Sequence, residues 1–349
     1  MFLLENYHVA VLFCFITMIC WGSWANTQKL AGKTWRFELF YWDYVIGVFL
    51  ISLICALTAG NTGETGRGFI ADLSQAKISS LGWAFCGGIV FNIANILLVA
   101  AIAIAGLSVA FPVGIGLALV LGTILNYVAK PEGNPTILFF GVALVAVAIV
   151  INAIAYRKLP EHKSSAGTKG LILSIICGIL MANFYFLVSN SLARVELTAG
   201  GFNNTVTAKT LAEGTLEAGK LTAYTANFIF ALGILLSNFV VNTLVMVKPL
   251  VGTSVSPFAY LTGTFKDHLW GIVGGGIWGI GMTCNIIASN VASPAIAYGL
   301  GQGATLVSAI WGVFIWKEFR SAPKGTEKLL GGMFALFVIG LSFLIYAKM

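Results

Sequence analysis

Residues 83–120 read WAFCGGIVFNIANILLVAAIAIAGLSVAFPVGIGLALV, and residues 270–307 read WGIVGGGIWGIGMTCNIIASNVASPAIAYGLGQGATLV. The two stretches align without a gap: Trp83 meets Trp270 at a shift of 187 positions, and a pair of glycines follows four residues later in both. The ordered run of matches favours an internal duplication over chance similarity between glycine-rich segments. Both stretches are uncharged and apolar, so the sequence on either side of them has to be searched for further membrane spans.

The composition of the 349 residues excludes an ordinary soluble domain. Hydrophobic residues make up 58% of the chain and charged residues 9%, whereas soluble domains carry about 25% charged residues. So few charges cannot cover a water-facing surface, and we predict an integral protein of the cell (cytoplasmic, or inner) membrane. The net charge of +7 comes from Lys and Arg between apolar runs, which indicates topology signals and contact with lipid head-groups rather than nucleic acid.

The apolar runs predict ten transmembrane helices. A bilayer core needs about 20 apolar residues per helix, and ten segments qualify. They are residues 8–28, 39–59, 80–104, 107–127, 136–156, 170–191, 223–246, 269–291, 294–316 and 329–347. The duplicated stretches lie five spans apart, and because five is odd the second copy enters the membrane upside down. The predicted fold is therefore all-α, with two inverted-topology five-helix repeats at 1–156 and 170–349 and a short loop at 157–169.

The positive charges predict the orientation of these spans. The side that carries both termini holds 7 Lys and Arg residues, and the opposite side holds 13. By the positive-inside rule the more basic side faces the cytoplasm, so both termini are predicted to lie outside the cell.

Asp43, in the stretch FYWDYVIG at the start of span 2, is the acidic residue that we expect inside the bilayer. Ionisable groups at that depth are costly and usually functional. A carboxyl group there can take up and release a proton near neutral pH, which predicts proton coupling or hydrogen bonding to the substrate. The alternative is a structural carboxylate held by Lys29, Lys33 or a hydroxyl group of span 1.

Aromatic and uncharged polar side chains within the spans are the candidates for substrate binding. Trp21, Trp24 and Gln28 share one face of span 1, which favours a stacking wall for a small polar solute. Amides supply donors and acceptors without charge, as a neutral solute requires. The candidates are Trp21, Ser23, Trp24, Asn26, Gln28, Asn92, Asn95, Asn183, Tyr185, Asn285, Tyr298 and Gln302. For each amide the alternative is hydrogen bonding between helices, and for the tryptophans it is the interfacial aromatic belt.

The distribution of polar residues also predicts which spans surround a transport path. Spans 1, 2, 3, 6, 7, 8 and 9 carry the amides and hydroxyls, whereas spans 5 and 10 are nearly apolar and are predicted to face lipid at the periphery. Three glycines four residues apart in span 8, Gly271, Gly275 and Gly279, predict close helix packing. Residues 250–263 are apolar but broken by Gly and Pro, which predicts an interfacial or re-entrant piece or an extension of span 7.

No set of residues in the sequence indicates catalysis, a metal or a cofactor. The six cysteines lie in apolar stretches without ligand spacing, which predicts packing residues. Residues 214–221, GTLEAGKL, nearly fit a phosphate-binding loop, but Leu follows the Lys where a magnesium-binding hydroxyl is required. We therefore predict no enzyme and no cofactor, and the sequence makes no prediction of oligomeric state.

Three groups of residues carry a resemblance to a known family. They are Gly22-Ser23-Trp24 with Tyr41-Trp42-Asp43-Tyr44, then Gly106-Leu107-Ser108-Val109 with Gly122-Thr123 and Leu125-Asn126-Tyr127, and finally Leu306-Val307-Ser308 running through Trp311-Gly312 to Lys317-Glu318-Phe319-Arg320. With these residues the chain resembles the ureide permeases of the drug/metabolite transporter superfamily over most of its length. The resemblance implies ten helices in two inverted repeats and proton-coupled import of ureides and nucleobases such as allantoin and uracil. Residues 156–169 are shorter than the loop that plant members carry there, which points to a bacterial-type relative.

Together these features predict a secondary active transporter, a proton symporter for a small neutral polar solute of the ureide or nucleobase class. The expected mechanism is alternating access around a site between the repeats. Sugar–proton symport of the glucose, rhamnose or ribose type stays open, because aromatic stacking and amides suit a pyranose equally well. A membrane-embedded enzyme or a passive channel is disfavoured, since the sequence lacks a catalytic set and the inverted repeat favours a carrier.

Overall fold

The computed structural model describes residues 1–31, 35–159 and 168–349. Within these residues ten helices are long and apolar enough to cross a membrane, as the sequence predicts. They are span 1 (Tyr7–Leu30), span 2 (Phe37–Leu57), span 3 (Ile78–Ala105), span 4 (Val109–Ala129), span 5 (Pro135–Arg157), span 6 (Thr168–Ser191), span 7 (Ala223–Val247), span 8 (Phe265–Ala292), span 9 (Pro294–Ile315) and span 10 (Thr326–Tyr346). Most of the predicted loop at 157–169 falls on residues 160–167, which lie outside the described residues.

Local sequence fixes where several spans begin. The side chain of Asn6 accepts a hydrogen bond from the backbone N–H of Val9 before span 1, and Asn134 caps span 5 directly before its first residue, Pro135. Thr264 and Asp267 form a reciprocal capping box at the start of span 8. Such caps satisfy backbone N–H groups that have no partner inside the helix, a need that is strongest near lipid.

Spans 1 and 9 are both interrupted helices. Span 1 consists of Tyr7–Ser23 and Asn26–Leu30, which are separated by a short turn. Span 9 consists of Pro294–Gly301, Ala304–Ile310 and a π-helical turn at Trp311–Ile315. The two spans pack against each other. Irregular backbone at membrane depth is tolerated where it is buried in protein or lines a water-filled cavity, so their shared wall is a place to look for a site.

Equivalent glycines of the two duplicated stretches make equivalent close contacts. A Cβ atom on Gly88 of span 3 would overlap the carbonyl oxygen of Phe230 in span 7, and one on Gly275 of span 8 would overlap that of Tyr44 in span 2. The shift of 187 positions that aligns the stretches also aligns these two glycines. The close packing predicted for the span 8 glycines is therefore present, and its counterpart lies five spans earlier.

The junctions between spans 3 and 4 and between spans 8 and 9 share a rare backbone conformation. Gly106 has φ 77° and ψ 160°, and Ser293 has φ 84° and ψ 152°. These residues are again 187 positions apart. Two matching junctions at this spacing agree with the predicted duplication.

One end of the bundle, which we call the sheet face, carries both termini and two folded loops. The loop between spans 6 and 7 forms a small antiparallel sheet in the order β2–β1–β3, with β1 at Val195–Leu197, β2 at Phe202–Asn203 and β3 at Gly214–Leu216. Short helices lie at Ala208–Ala212 and, in the loop between spans 2 and 3, at Phe69–Gln75. Arg67 of the second loop pairs with Asp72 and donates hydrogen bonds to the carbonyl groups of residues 216, 217 and 220. The two loops are thereby fastened over this end.

The opposite end, which we call the basic face, carries 11 of the 18 Lys and Arg residues that lie in the described ranges. Its loop between spans 7 and 8 contains a 3₁₀ helix at Pro257–Thr262. The side chains of Phe258 and Leu261 are exposed there, each at 78%, whereas Tyr260 turns inward to Asp43. The loop therefore lies on the surface of the basic face. It does not continue the helix of span 7, and it does not re-enter the bundle.

Candidate functional site: a cavity on the basic face

A cavity of about 560 Å³ lies inside the bundle. Its wall runs from side chains at the middle of the spans, such as Phe184 and Trp278, to the basic-face ends of spans 1 and 9 at Lys29 and Glu318. Among the described residues, those of the sheet-face loops contribute nothing to this wall. The cavity is therefore accessible from the basic face and ends near the middle of the bundle.

The spans around the cavity differ in part from the predicted set. Spans 1, 3, 6, 8 and 9 line it as expected, and span 2 contributes Phe37. Span 7 contributes no lining residue within the described chain, because it packs behind spans 2 and 3. Spans 4 and 5 line the cavity instead, and the predicted lipid-facing span 5 provides Asn152 and Tyr156. Only part of span 5 faces outward, as the 52% exposed side chain of Phe140 does.

Four aromatic rings close the inner end of the cavity. Trp21 and Trp278 stack with an interplanar angle of 8° and ring centroids 5.6 Å apart. The ring centroid of Phe91 lies 4.5 Å from that of Trp278 and 5.1 Å from that of Phe184. Phe91 and Trp278 occupy matching positions of the two aligned stretches, so residues related by the predicted repeat meet at this aromatic floor. Transporters with inverted repeats bind their substrates at such an interface.

Six of the twelve predicted substrate-binding residues line the cavity. They are Trp21, Trp24, Asn26, Gln28, Asn95 and Gln302. The side-chain amide of Asn95 donates to the hydroxyl of Tyr41 at 3.2 Å, and the amide oxygen of Asn26 accepts from the indole N–H of Trp316 at 2.6 Å. For the amide of Gln302 we find no hydrogen-bond partner in the part of the chain that the structure describes. The wall thus combines flat aromatic faces with amides that can bind a neutral solute.

The other six predicted residues lie outside the cavity lining. They are Ser23, Asn92, Asn183, Tyr185, Asn285 and Tyr298. Most join helices: Asn92 donates to Ser237 of span 7, and Tyr298 donates to carbonyl groups of spans 4 and 6. Asn183 donates to the carbonyl group of Ile179 in its own helix.

Ser23 acts on the cavity indirectly. Its hydroxyl accepts a hydrogen bond from the indole N–H of the lining residue Trp311 at 2.8 Å. The hydroxyl of Ser308 donates to the carbonyl oxygen of Gly22 at 3.1 Å. With the contact between Asn26 and Trp316, these bonds hold span 1 and span 9 together along the cavity wall.

Asp43 is buried but does not line the cavity. It packs between spans 2 and 8 near the basic face, where it accepts a hydrogen bond from the hydroxyl of Tyr260 and lies 3.0 Å from Nδ1 of His268. Burial, and then the hydrogen bond and negative charge of Asp43, raise the pKa of Tyr260, so its hydroxyl stays a donor. Of the lysines expected from the sequence, Lys29 pairs with Glu318 instead of Asp43, and Lys33 lies outside the described residues.

Among the described lining residues the acidic one is Glu318, which the sequence did not single out. Its Oε1 lies 3.0 Å from the ammonium group of Lys29, and its Oε2 accepts from the hydroxyl of Tyr156 at 2.8 Å. Lys29 also lies over the ring of Trp316, 4.5 Å from the centroid. The available signal was the stretch from Trp311 to Arg320, which carries part of the family resemblance, but a span edge gave no reason to expect a cavity.

The sequence is similar to known proteins over nearly its whole length. The sequence profile of the ureide permease family matches residues 40–169 and 170–347. Ureide permease 1 of Arabidopsis thaliana is 26% identical over 392 aligned residues, which cover 99% of this chain and 98% of that protein. Ureide permease 4 of the same plant is 24% identical over 397 aligned residues, which cover 99% of this chain and 98% of that protein.

A solved crystal structure of another protein shares the fold. It superposes with a TM-score of 0.59 at 15% sequence identity and covers 97% of this chain and 96% of that one. The family match begins at residue 40, within span 2, and ends at residue 347, after span 10. It therefore leaves out span 1 and the first three residues of span 2. This multi-pass membrane protein therefore belongs to the ureide permease family.

Proposed function

We propose that the protein is a secondary active carrier of small, neutral, flat solutes of the ureide and nucleobase class, such as allantoin or uracil, and that it moves them together with protons. The observation that carries the proposal is the cavity, which has an aromatic floor, an amide-bearing wall and one accessible end. Relatives that match nearly the whole chain are named ureide permeases. A permease moves its solute unchanged, so we do not propose an enzymatic reaction.

The chemistry of the wall supports a neutral, planar solute. Stacked rings such as Trp21 and Trp278 offer flat apolar surfaces to a heterocycle. Amides such as those of Gln28 and Gln302 can donate to carbonyl groups and accept from N–H groups. Lys29 and Glu318 carry opposite charges that cancel within the cavity, so a charged solute gains no net attraction from them.

The accessible basic face and the fastened sheet face support alternating access. Matching contacts at Gly88 and Gly275 and matching junctions at Gly106 and Ser293 favour the predicted inverted repeats. In such carriers one repeat rocks against the other around a fixed site, so a cavity that is open on one face closes there and opens on the other. We propose that the basic face lies in the cytoplasm, as the positive-inside rule predicts.

Proton coupling is proposed for the group formed by Asp43, His268 and Tyr260. Asp43 is 1% exposed, whereas the side chain of His268 is 26% exposed, so His268 connects a buried carboxyl group with the surroundings of the basic face. A His–Asp pair can gain or lose one proton while the two side chains stay in contact. Asp43 lies on span 2 and His268 on span 8, and a movement between these spans would change the contact that retains the proton.

The experiment is uptake into proteoliposomes under an imposed proton gradient, with allantoin, uracil, hypoxanthine, glucose, ribose and rhamnose as solutes. We expect saturable accumulation of a ureide or nucleobase that a protonophore abolishes. In Asp43→Asn, gradient-driven accumulation should be lost, while exchange of labelled for unlabelled solute without a gradient should continue.

Glu38→Gln is the matched control, because Glu38 lies on the same span and pairs with its neighbour Arg36. It should accumulate solute as the unmodified protein does. Full accumulation by Asp43→Asn would remove Asp43 from the coupling mechanism. Accumulation of a sugar alone would move the protein to sugar–proton symport, and accumulation of none of the six solutes would contradict the proposed substrate class.

A further inference from the structure

Lys29 and Glu318 form the charged part of the cavity wall. Among the described lining residues, Glu318 supplies the carboxylate and Lys29 the ammonium group. The two groups are 3.0 Å apart, and their side chains are 49% and 32% exposed. A pair this exposed contributes little to folding, so its place in the cavity calls for another explanation than stability.

The pair presents a hydrogen-bond acceptor and a donor side by side. A carboxylate offers about four acceptor positions, and the described contacts of Glu318 use one on each oxygen, for Lys29 and Tyr156. An ammonium group has three donors and Lys29 uses one on Glu318. Both groups can therefore accept a further partner while they stay in contact with each other.

The neighbours of the pair hold it in place without saturating it. Tyr156, at the end of span 5, fixes one oxygen of Glu318, and the ring of Trp316 lies under the ammonium group of Lys29. Trp316 is itself fixed by Asn26 and stacks with Trp311, with ring centroids 6.3 Å apart. The wall beside the pair is therefore flat and aromatic.

We propose that Lys29 and Glu318 together recognise an edge of the substrate on which a ring N–H lies next to a ring carbonyl group. The carboxylate of Glu318 accepts from the N–H, and the ammonium group of Lys29 donates to the carbonyl oxygen. Cyclic ureides and pyrimidine nucleobases present such an edge, whereas sugars present hydroxyl groups and N-methylated rings lack the donor. This assignment rests on the proposed function and names the residues that select for its substrate class.

The test is equilibrium binding of radiolabelled uracil, and in a parallel assay of radiolabelled allantoin, to the purified full-length protein without a gradient. Unlabelled uracil and 1,3-dimethyluracil are the competitors. The unmodified protein should prefer uracil by about 10- to 100-fold, the effect of hydrogen bonds to charged partners. Glu318→Met should weaken uracil binding and leave the affinity for 1,3-dimethyluracil, which lacks the N–H, unchanged. Lys29→Met should weaken uracil binding as well, but because 1,3-dimethyluracil keeps its carbonyl groups this variant is not expected to discriminate between the two ligands. The exchange variant Lys29→Glu with Glu318→Lys restores an acceptor beside a donor and should recover part of the preference.

Glu64→Gln, on an exposed loop of the sheet face, is the control that should bind as the unmodified protein does. Equal weakening of both ligands by Glu318→Met would assign the pair to the structure of the cavity and overturn the proposal. Unchanged binding of uracil by both variants would overturn it while the proposed function stands. Failure of the unmodified protein to bind uracil or allantoin at all would overturn the proposed function itself.

Discussion

Ser293 holds a backbone conformation that disfavours any side chain. Its φ of 84° and ψ of 152° fall in a region that is essentially restricted to glycine and costs other residues about 1–3 kcal/mol. Gly106, the matching residue of the predicted first repeat, has nearly the same angles without that cost. Ser293 gains one weak compensation, since its hydroxyl accepts from the N–H of Ile296 at 3.4 Å. The chain is thus strained at one of two equivalent junctions.

Replacement of this serine should stabilise the protein. We expect Ser293→Gly to raise the free energy of unfolding by about 1 kcal/mol, because relief of strain exceeds the loss of a weak cap. The reciprocal change Gly106→Ser should lower it by a similar amount. Thermal unfolding in detergent measures both, with Ser293→Ala as the control that keeps a side chain. If Ser293→Ala stabilises as much as Ser293→Gly does, the strain is not in the backbone.

The residues of the candidate site could be predicted from the sequence only in part. Trp21, Trp24 and Gln28 share a helix face, and that face lines the cavity. Asn183 has the same polar character, but it is next to the lining residue Phe184 and points about 100° away around the helix. Glu318 was missed because it follows span 9, and only the packing of spans 1, 5 and 9 brings Lys29 and Tyr156 to it.

Contacts between helices depend on glycine at positions where two backbones meet. Gly275 brings span 8 against Tyr44 of span 2, and Gly88 brings span 3 against Phe230 of span 7. Small residues permit such approaches in membrane proteins, where packing and hydrogen bonds replace the hydrophobic effect between helices. Gly276 differs from its neighbour Gly275, since a Cβ atom there would meet nothing within 4 Å.

Single alanine substitutions should affect the free energy of unfolding differently at these glycines. Gly275→Ala and Gly88→Ala should each lower the free energy of unfolding by about 1–3 kcal/mol, the usual effect of overpacking. Gly276→Ala should be neutral or raise it by up to about 1 kcal/mol, because alanine favours a helix more than glycine does. Thermal unfolding and the yield of folded protein in detergent measure the difference. Equal losses for the two neighbours, Gly275 and Gly276, would contradict the close contact.

The helices themselves were predictable, whereas their interruptions were not. The ten spans follow from long apolar runs, and the glycine spacing of span 8 predicts its close packing. The turn after Ser23 and the π-helical turn at Trp311–Ile315 have no such signal. They depend on bonds between distant segments, such as Trp311 to Ser23, and those partners are 288 residues apart in the chain.

The two ends of the molecule are built differently. At the basic face the cavity wall is reached past Lys29 and Glu318. At the sheet face, the bonds of Arg67 and Gln75 fasten the loop of the first repeat to residues 216–220 of the second. Since these bonds join the two predicted repeats, a state that opens at the sheet face has to break or move them. If access alternates as proposed, a change at Arg67 should shift the balance between the two states.

A cysteine in the cavity can report that balance. Ser308→Cys places a thiol on the lining, and in membrane vesicles a membrane-impermeant thiol reagent should label it mainly from the basic face.

Arg67→Lys keeps a charge for Asp72 but loses the forked donor geometry that reaches three carbonyl groups. We expect Arg67→Lys to increase labelling of the introduced thiol from the sheet face several-fold. The bonds that it removes stabilise the closed sheet face and are absent when that face is open, so their loss favours the open state. Arg320→Lys on the basic face is the matched control, and the parent chain measures the background from its six native cysteines. Labelling from the sheet face that is already complete before Arg67 is changed, or that Arg67→Lys leaves unchanged, would show that these loops do not control access to the cavity.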